Sequence, residues 1–245
     1  VENLTKLDTG FNRENLILFD FDFTKNLDNP SRTSFYKTLL ERVAPLPGVQ
    51  AASLSMIQPL SQAGWSDQVN TGETPSSSQK DPSRICYGMR VGPHYFQTMG
   101  TPILNGRDFD SRDDFPLDSS KTIRTLVIND SMAKRFFPDE NPVGKQFKFS
   151  SNSEQSYEIV GIVKDTKYNT LRESNRSIFY VPFFQDSNDP GMNVIWGMTF
   201  LIRTSADPRP LISNIQTLVR EVDSTVQIRN LRTMEEVVEN SLHQV

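Results

Sequence analysis

The chain has 245 residues, 36% hydrophobic and 10% aromatic, with a formal net charge of −4. That length can bury one large or two small cores, and the aromatic content excludes a disordered chain. The acidic balance gives no basic footprint for nucleic acid and no polybasic segment for an anionic membrane surface.

Cys86 is the single cysteine, so no intrachain disulfide can form. This suits the cytosol, and equally an extracytoplasmic domain large enough to fold without staples. No apolar run approaches the roughly 18 residues that a membrane helix needs. The opening VENLTKLDTGF lacks the apolar stretch of a signal peptide and starts with Val, so the chain reads as a segment of a longer protein.

Along the chain, LILFDFDFT (16–24) places Phe19, Phe21 and Phe23 on one face and Asp20 and Asp22 on the other, a half-buried strand. SRTSFYKTLLERVAPLPGV carries Phe35, Tyr36, Leu39, Leu40 and Val43 at helical spacing, stopped by Pro45, Pro47 and Gly48. A second strand begins at Val49, completing a β-α-β unit. The stretch PLSQAGWSDQVNTGETPSSSQKDPS (59–83) is polar and rich in Gly, Pro and Ser, and reads as a linker. Strands then dominate: RICYGMRV, TLVIND, KQFKFS, YEIVGIVKDT and SIFYVPFF, with a short helix SMAKRFFP closed by Pro138. MTFLIRT, DPRPLISNIQTLVREV and STVQIRNL form a second β-α-β unit, with Asp207 as N-cap and Pro208 at the first helical position. The closing TMEEVVENSLHQV reads as a helix with Met234, Val237, Val238 and Leu242 on one side.

The expected fold class is therefore α+β. Residues 1–57 and 197–245 form a split β-α-β subdomain, and residues 58–196 form an inserted β-rich subdomain.

The residues offer no reaction centre. His94 and His243 have no ligand-spaced partners. There is no Gly-x-Ser-x-Gly elbow, no Walker A loop and no Gly-x-Gly-x-x-Gly. In DFDSRDD, Asp108, Asp110, Asp113 and Asp114 lack EF-hand spacing, since Asp113 stands where a Gly belongs; a solvated loop with a helix cap is the plainer reading. Asn105-Gly106 signals a tight reversal with positive φ, and Pro142 with Gly144 a turn before a strand. Expected catalytic, cofactor and metal residues are none. Trp65, in the linker, is the candidate partner contact, together with Tyr168 and Leu171, expected to be exposed in the loop TKYNTLRES. Burial against the domain is the competing reading for Trp65, and an ordinary hairpin loop for the other two.

Taken in order, VGPHYFQTMGTPILNGRDFDSRDD, TLVINDSMAKRFFPDENPVGKQF, YEIVGIVKDTKYNTLRES and IFYVPFF resemble the MacB-like periplasmic core domain of ABC transporter permeases. The version they are most similar to is that of the large orphan permeases of Acidobacteria, in the FtsX-related superfamily. LERVAPLPGVQAASLS and both flanks fit the same resemblance, which spans essentially the whole chain. The resemblance implies a porter-like subdomain from both chain ends and an inserted sabre-like subdomain. It implies an extracytoplasmic domain of a bacterial inner-membrane protein, held between two membrane helices. It also implies a non-catalytic role: passing ATP-driven helix motion to substrate export or to an extracytoplasmic partner. The partners implied are a cytoplasmic ABC ATPase, a second permease copy, and an adaptor or substrate. The alternative reading is a stand-alone periplasmic ligand- or protein-binding module, and a third is an enzyme with an unfamiliar site.

Overall fold

The computed structural model describes residues 8–25, 27–61, 64–70, 82–114, 123–167, 169–171, 173–185 and 197–243. Four strands come from the two chain ends: β1 (Leu16–Phe23), β2 (Val49–Ser55), β10 (Thr199–Thr204) and β11 (Val226–Thr233). They pair antiparallel in the order β11-β1-β10-β2. Each β-α-β unit thus gives one strand to the centre and one to the flank, the split arrangement expected when two such units pair.

Helices α1 (Asn29–Val43) and α4 (Ile212–Val222) cover one face. Asp28 starts α1 by accepting the Ser31 N–H at 2.9 Å. Asp207 accepts the Arg209 N–H at 3.1 Å, but it begins a single 3-10 turn, Arg209–Leu211, and α4 proper follows at Ile212. Arg42 and Glu221 tie the two helices at 2.5 Å. Beneath them Phe19 stacks on Phe200 with ring centroids 5.4 Å apart, across a directly opposed pair of β1 and β10. The alternation read in LILFDFDF decides this packing: Ile17 and Phe19 face the helices, while Leu16 and Leu18 face the opposite core.

Among the described residues, seven more strands and two short helices lie between these units. They are β3 (Trp65–Asn70), β4 (Ile85–Val91), α2 (Tyr95–Met99), β5 (Ile103–Gly106), β6 (Ile123–Asn129), α3 (Asp130–Phe136), β7 (Gln146–Phe149), β8 (Asn152–Val163) and β9 (Ile178–Pro182). The pairing β4-β3-β7-β8-β6-β9 returns to β4, so six strands close on themselves and leave few edges open. Val69, Cys86, Leu126, Ile128, Phe147, Tyr157, Ile159 and Phe179, drawn from all six strands, fill the ring. Their neighbours on the other face, Met89, Val127, Val160 and Tyr180, turn outward. There they meet α2, the C-terminal helix (Met234–His243) and the sheet face turned away from α1 and α4 in a shared core. The ring joins that sheet where Ser55 lies opposite Val91, with the Met56 N–H donating to the Arg90 carbonyl at 2.9 Å and the Gly92 N–H to the Leu54 carbonyl at 2.7 Å.

Three local expectations change. The linker-like stretch contains β3, because the ring cannot close without a strand between β4 and β7 and tertiary pairing overrides the weak local propensity; residues 71–81 lie outside the described residues. Gly106 has the expected positive φ, +75°, but Asn105-Gly106 ends β5 against β8 instead of turning a hairpin. A Cβ on Gly106 would sit 2.2 Å from the Val160 carbonyl oxygen, so the glycine is needed for strand approach. The acidic loop is not simply solvated. Asp113 is 1% exposed and takes a two-pronged bond from Arg107 at 2.7 and 2.9 Å, plus the Thr125 hydroxyl at 2.8 Å. Asp110 and Asp113 also close a reciprocal cap around the turn Ser111–Asp113.

Asp113→Ala leaves the Arg107 guanidinium and the Thr125 hydroxyl without their acceptor. The expected loss is about 2 kcal/mol, below that of a fully buried pair because Arg107 keeps some solvent; denaturant unfolding with an unchanged m-value checks it.

Burial pushes the Cys86 thiol from 9.0 up to about 12, and the Tyr36 and Tyr180 hydroxyls from 10.0 up to about 12. In each case the folded protein keeps a proton that the unfolded chain releases. Stability that is complete below pH 9 therefore falls as the pH rises toward 12. Unfolding midpoints measured across this window should decline, and Tyr180→Phe should flatten the decline.

Candidate functional site

The residues singled out in the sequence do not come together. Trp65 sits in β3, directly opposite Gly88, with its ring edge-on to Phe179 at 4.9 Å. It is only partly buried, and its indole N–H is one of the few buried polar atoms without a partner among the described residues. Leu171 is not exposed as expected. It is 3% exposed and belongs to the shared core, because the loop after β8 folds back and gives up its one apolar side chain. Tyr168 lies outside the described residues. Among the described residues no three His, Cys, Asp or Glu side chains converge as metal ligands, and no helix is long and apolar enough to cross a membrane. His94 takes a left-handed conformation, φ 56°, just before α2. Nearby Asp108 accepts the N–H groups of Gln97 at 3.0 Å and Phe109 at 2.7 Å, while burial pushes its carboxyl up.

What the structure does build is a pair of firm attachments near the two ends of the described chain. At the first, residues 8–15 form a strap leading into β1. Asp8 pairs with Lys164 at 2.5 Å, and that ammonium, with the Gly10 N–H, holds the Asp8 carboxyl below its ordinary range. The Thr9 carbonyl accepts the Lys167 N–H at 3.0 Å. Gly10, φ +78°, lies so close to Asp165 that a Cβ would fall 1.9 Å from its carbonyl oxygen. Phe11 enters the shared core. The Asn12 N–H donates to the Met99 carbonyl at 2.9 Å, at the end of α2.

Arg203 closes this attachment. It lies on β10, on the face opposite the helices, and is 8% exposed. Its Nε donates to the Thr98 carbonyl at 2.6 Å, Nη1 to Glu14 at 2.7 Å and Nη2 to Asn12 at 2.6 Å. Burial lowers its pKa, yet a guanidinium stays charged, and three carbonyl acceptors offset the loss of water. Sequence reasoning passed over this residue. The available signal was a charge within MTFLIRT, two positions from buried Leu201 and so on the same inward face.

The second attachment is α5 (Met234–His243). Thr233 and Glu236 cap it reciprocally, with the Thr233 N–H 2.8 Å from Glu236 and the Glu236 N–H 3.2 Å from the Thr233 hydroxyl. Met234, Val237 and Val238 are buried in the shared core, and Leu242 packs against it.

The comparisons with known proteins agree on one family. The model of the MacB-like periplasmic core domain matches residues 7–233. No curated protein matches the chain. Among solved structures, the periplasmic region of MacB from Actinobacillus actinomycetemcomitans has a TM-score of 0.59 at 14% identity, covering 100% of this chain and 98% of that one. The extracellular domain of the ABC-type transporter YknZ from Gram-positive bacteria has a TM-score of 0.50 at 16% identity, covering 87% and 100%. A domain of a permease protein from Porphyromonas gingivalis has a TM-score of 0.50 at 13% identity, covering 91% and 92%. At such identities the structures speak for the fold, and the family match carries the assignment: this chain belongs to the MacB-like periplasmic core domain family, the extracytoplasmic part of an ABC-type transporter permease.

Proposed function

We propose that this domain passes motion between membrane helices flanking it and an extracytoplasmic substrate or partner, and performs no chemistry itself. The observation that carries this reading is that both attachments are built into the core. A loose tether absorbs displacement, whereas a capped helix with three buried side chains moves with the sheet it packs on. In this reading a cytoplasmic ABC ATPase supplies the work, a second permease copy completes the assembly, and an adaptor or substrate receives the output. The two halves, residues 1–57 with 197–245 and residues 58–196, shift relative to one another across the shared core. Trp65, partly exposed on the ring, remains the proposed partner contact; buried Leu171 could serve only if its loop opened.

Stiffness of α5 is the testable element. Glu239 is exposed, so replacing it removes no core contact. Proline there deletes a backbone donor and clashes with the preceding turn, at about 3 kcal/mol in a helix interior. In the intact permease with its ATPase, Glu239→Pro should leave ATP hydrolysis in place while transport or partner output falls about tenfold. Glu239→Ala should keep both. A folded Glu239→Pro permease with full output would sink the proposal.

A further inference from the structure

The two attachments differ in what they grip. α5 packs on β1 and β11, at the flank of the four-stranded sheet. The strap reaches to the end of α2 and to residues 164–167, the segment that leaves β8 of the closed ring. We propose that residues 8–15 are a latch that makes the α2 end and the 164–167 segment open and close as one unit with the strap, with the Arg203 guanidinium as its key.

The geometry supports a single unit over three neighbouring contacts. One planar group binds three carbonyls from two separate segments, Asn12 and Glu14 in the strap and Thr98 in α2. A guanidinium holds its donors in a fixed fork, so it cannot follow one acceptor without leaving the others. If the strap leaves, Arg203 loses two of its three acceptors at once, which penalises partial opening. The far end is set by shape. Gly10 lies against the Asp165 and Thr166 backbone with no room for a side chain, and the Lys167 N–H is bound to Thr9. Lys164 is held a second time, its N–H donating to the Pro102 carbonyl at 3.0 Å just beyond α2. The strap, α2 and the exit from β8 thus form a closed loop of contacts, and Phe11 of the strap is buried in the shared core.

The use of this latch rests on the proposed function: displacement at the strap is delivered to the ring side of the shared core, and displacement at α5 to the sheet flank. The latch itself is a property of the fold and can be tested without any transport measurement, so its failure is separable from failure of that reading. Amide hydrogen exchange of the chain provides the probes. The Asn12, Thr101 and Lys167 N–H groups are bonded to Met99, Phe96 and Thr9. In the unaltered protein these three amides should exchange with one common opening free energy and one common denaturant dependence. Arg203→Met, which keeps an apolar stem and removes the donors, should speed exchange of all three by about tenfold or more, with the ring strands β6 and β9 unchanged. Gly10→Ala, placed at the opposite end, should speed the Thr101 amide as well as the Lys167 amide. Independent openings in the unaltered protein overturn the latch, and that measurement stands even if a variant fails to fold. So does a Gly10→Ala protein in which only residues near 164–167 loosen.

Discussion

The arrangement depends on one constraint: the four-stranded sheet and the closed ring must cover each other. Helices α1 and α4 cover one face of the sheet, while Leu16, Leu18 and Leu201 on the other face pack with α2, α5 and the outward side chains of the ring. The ring fills its own interior, yet Met89, Val127, Val160 and Tyr180 still point out of it. Burying both sets against α2 removes each from solvent at about 25 cal/mol per Å². Between β2 and β4 a short ladder crosses the junction, the Ser55–Val91 pair with the Met56 and Gly92 N–H groups donating to the Arg90 and Leu54 carbonyls, and side-chain packing supplies the rest of the contact.

The polar devices at this junction follow from the same constraint. β10 continues past Leu201 onto the same inward face, where its next side chain is Arg203. A charge there survives only if fully bonded, and the backbone carbonyls of the strap and α2 are the acceptors within reach. The buried charge therefore fixes where the strap runs. Asp113 plays a comparable part at the ring, orienting Arg107 and Thr125 across the loop that follows β5. In both groups every oxygen or nitrogen named has a structural partner.

Much of this was legible beforehand. The period of 2 in LILFDFDF and the helical spacing in FYKTLLERV and ISNIQTLV located both β-α-β units, since only one face of each is apolar. The TxxE cap and the apolar side of α5 were written in TMEEVVENSL. Less legible were β3 and β5. Trp65–Asn70 has the composition of a loop and is a strand because two partners wait on either side. Leu171 looked exposed because its neighbours are polar, and local polarity carries no information about where a loop folds back.

By itself the sequence determined the fold class, the two β-α-β units and the family, because these reside in local periodicity and in ordered motifs that survive without knowledge of contacts. It also determined that the chain lacks the spacing of known metal and nucleotide motifs. Tertiary structure alone decided that six strands close into a ring, that Arg203 is buried, and that the strap is bonded to α2 and to residues 164–167. Those are pairings between residues up to 191 positions apart. No periodicity encodes them; they are fixed only when the packed chain leaves a buried donor one set of acceptors within reach.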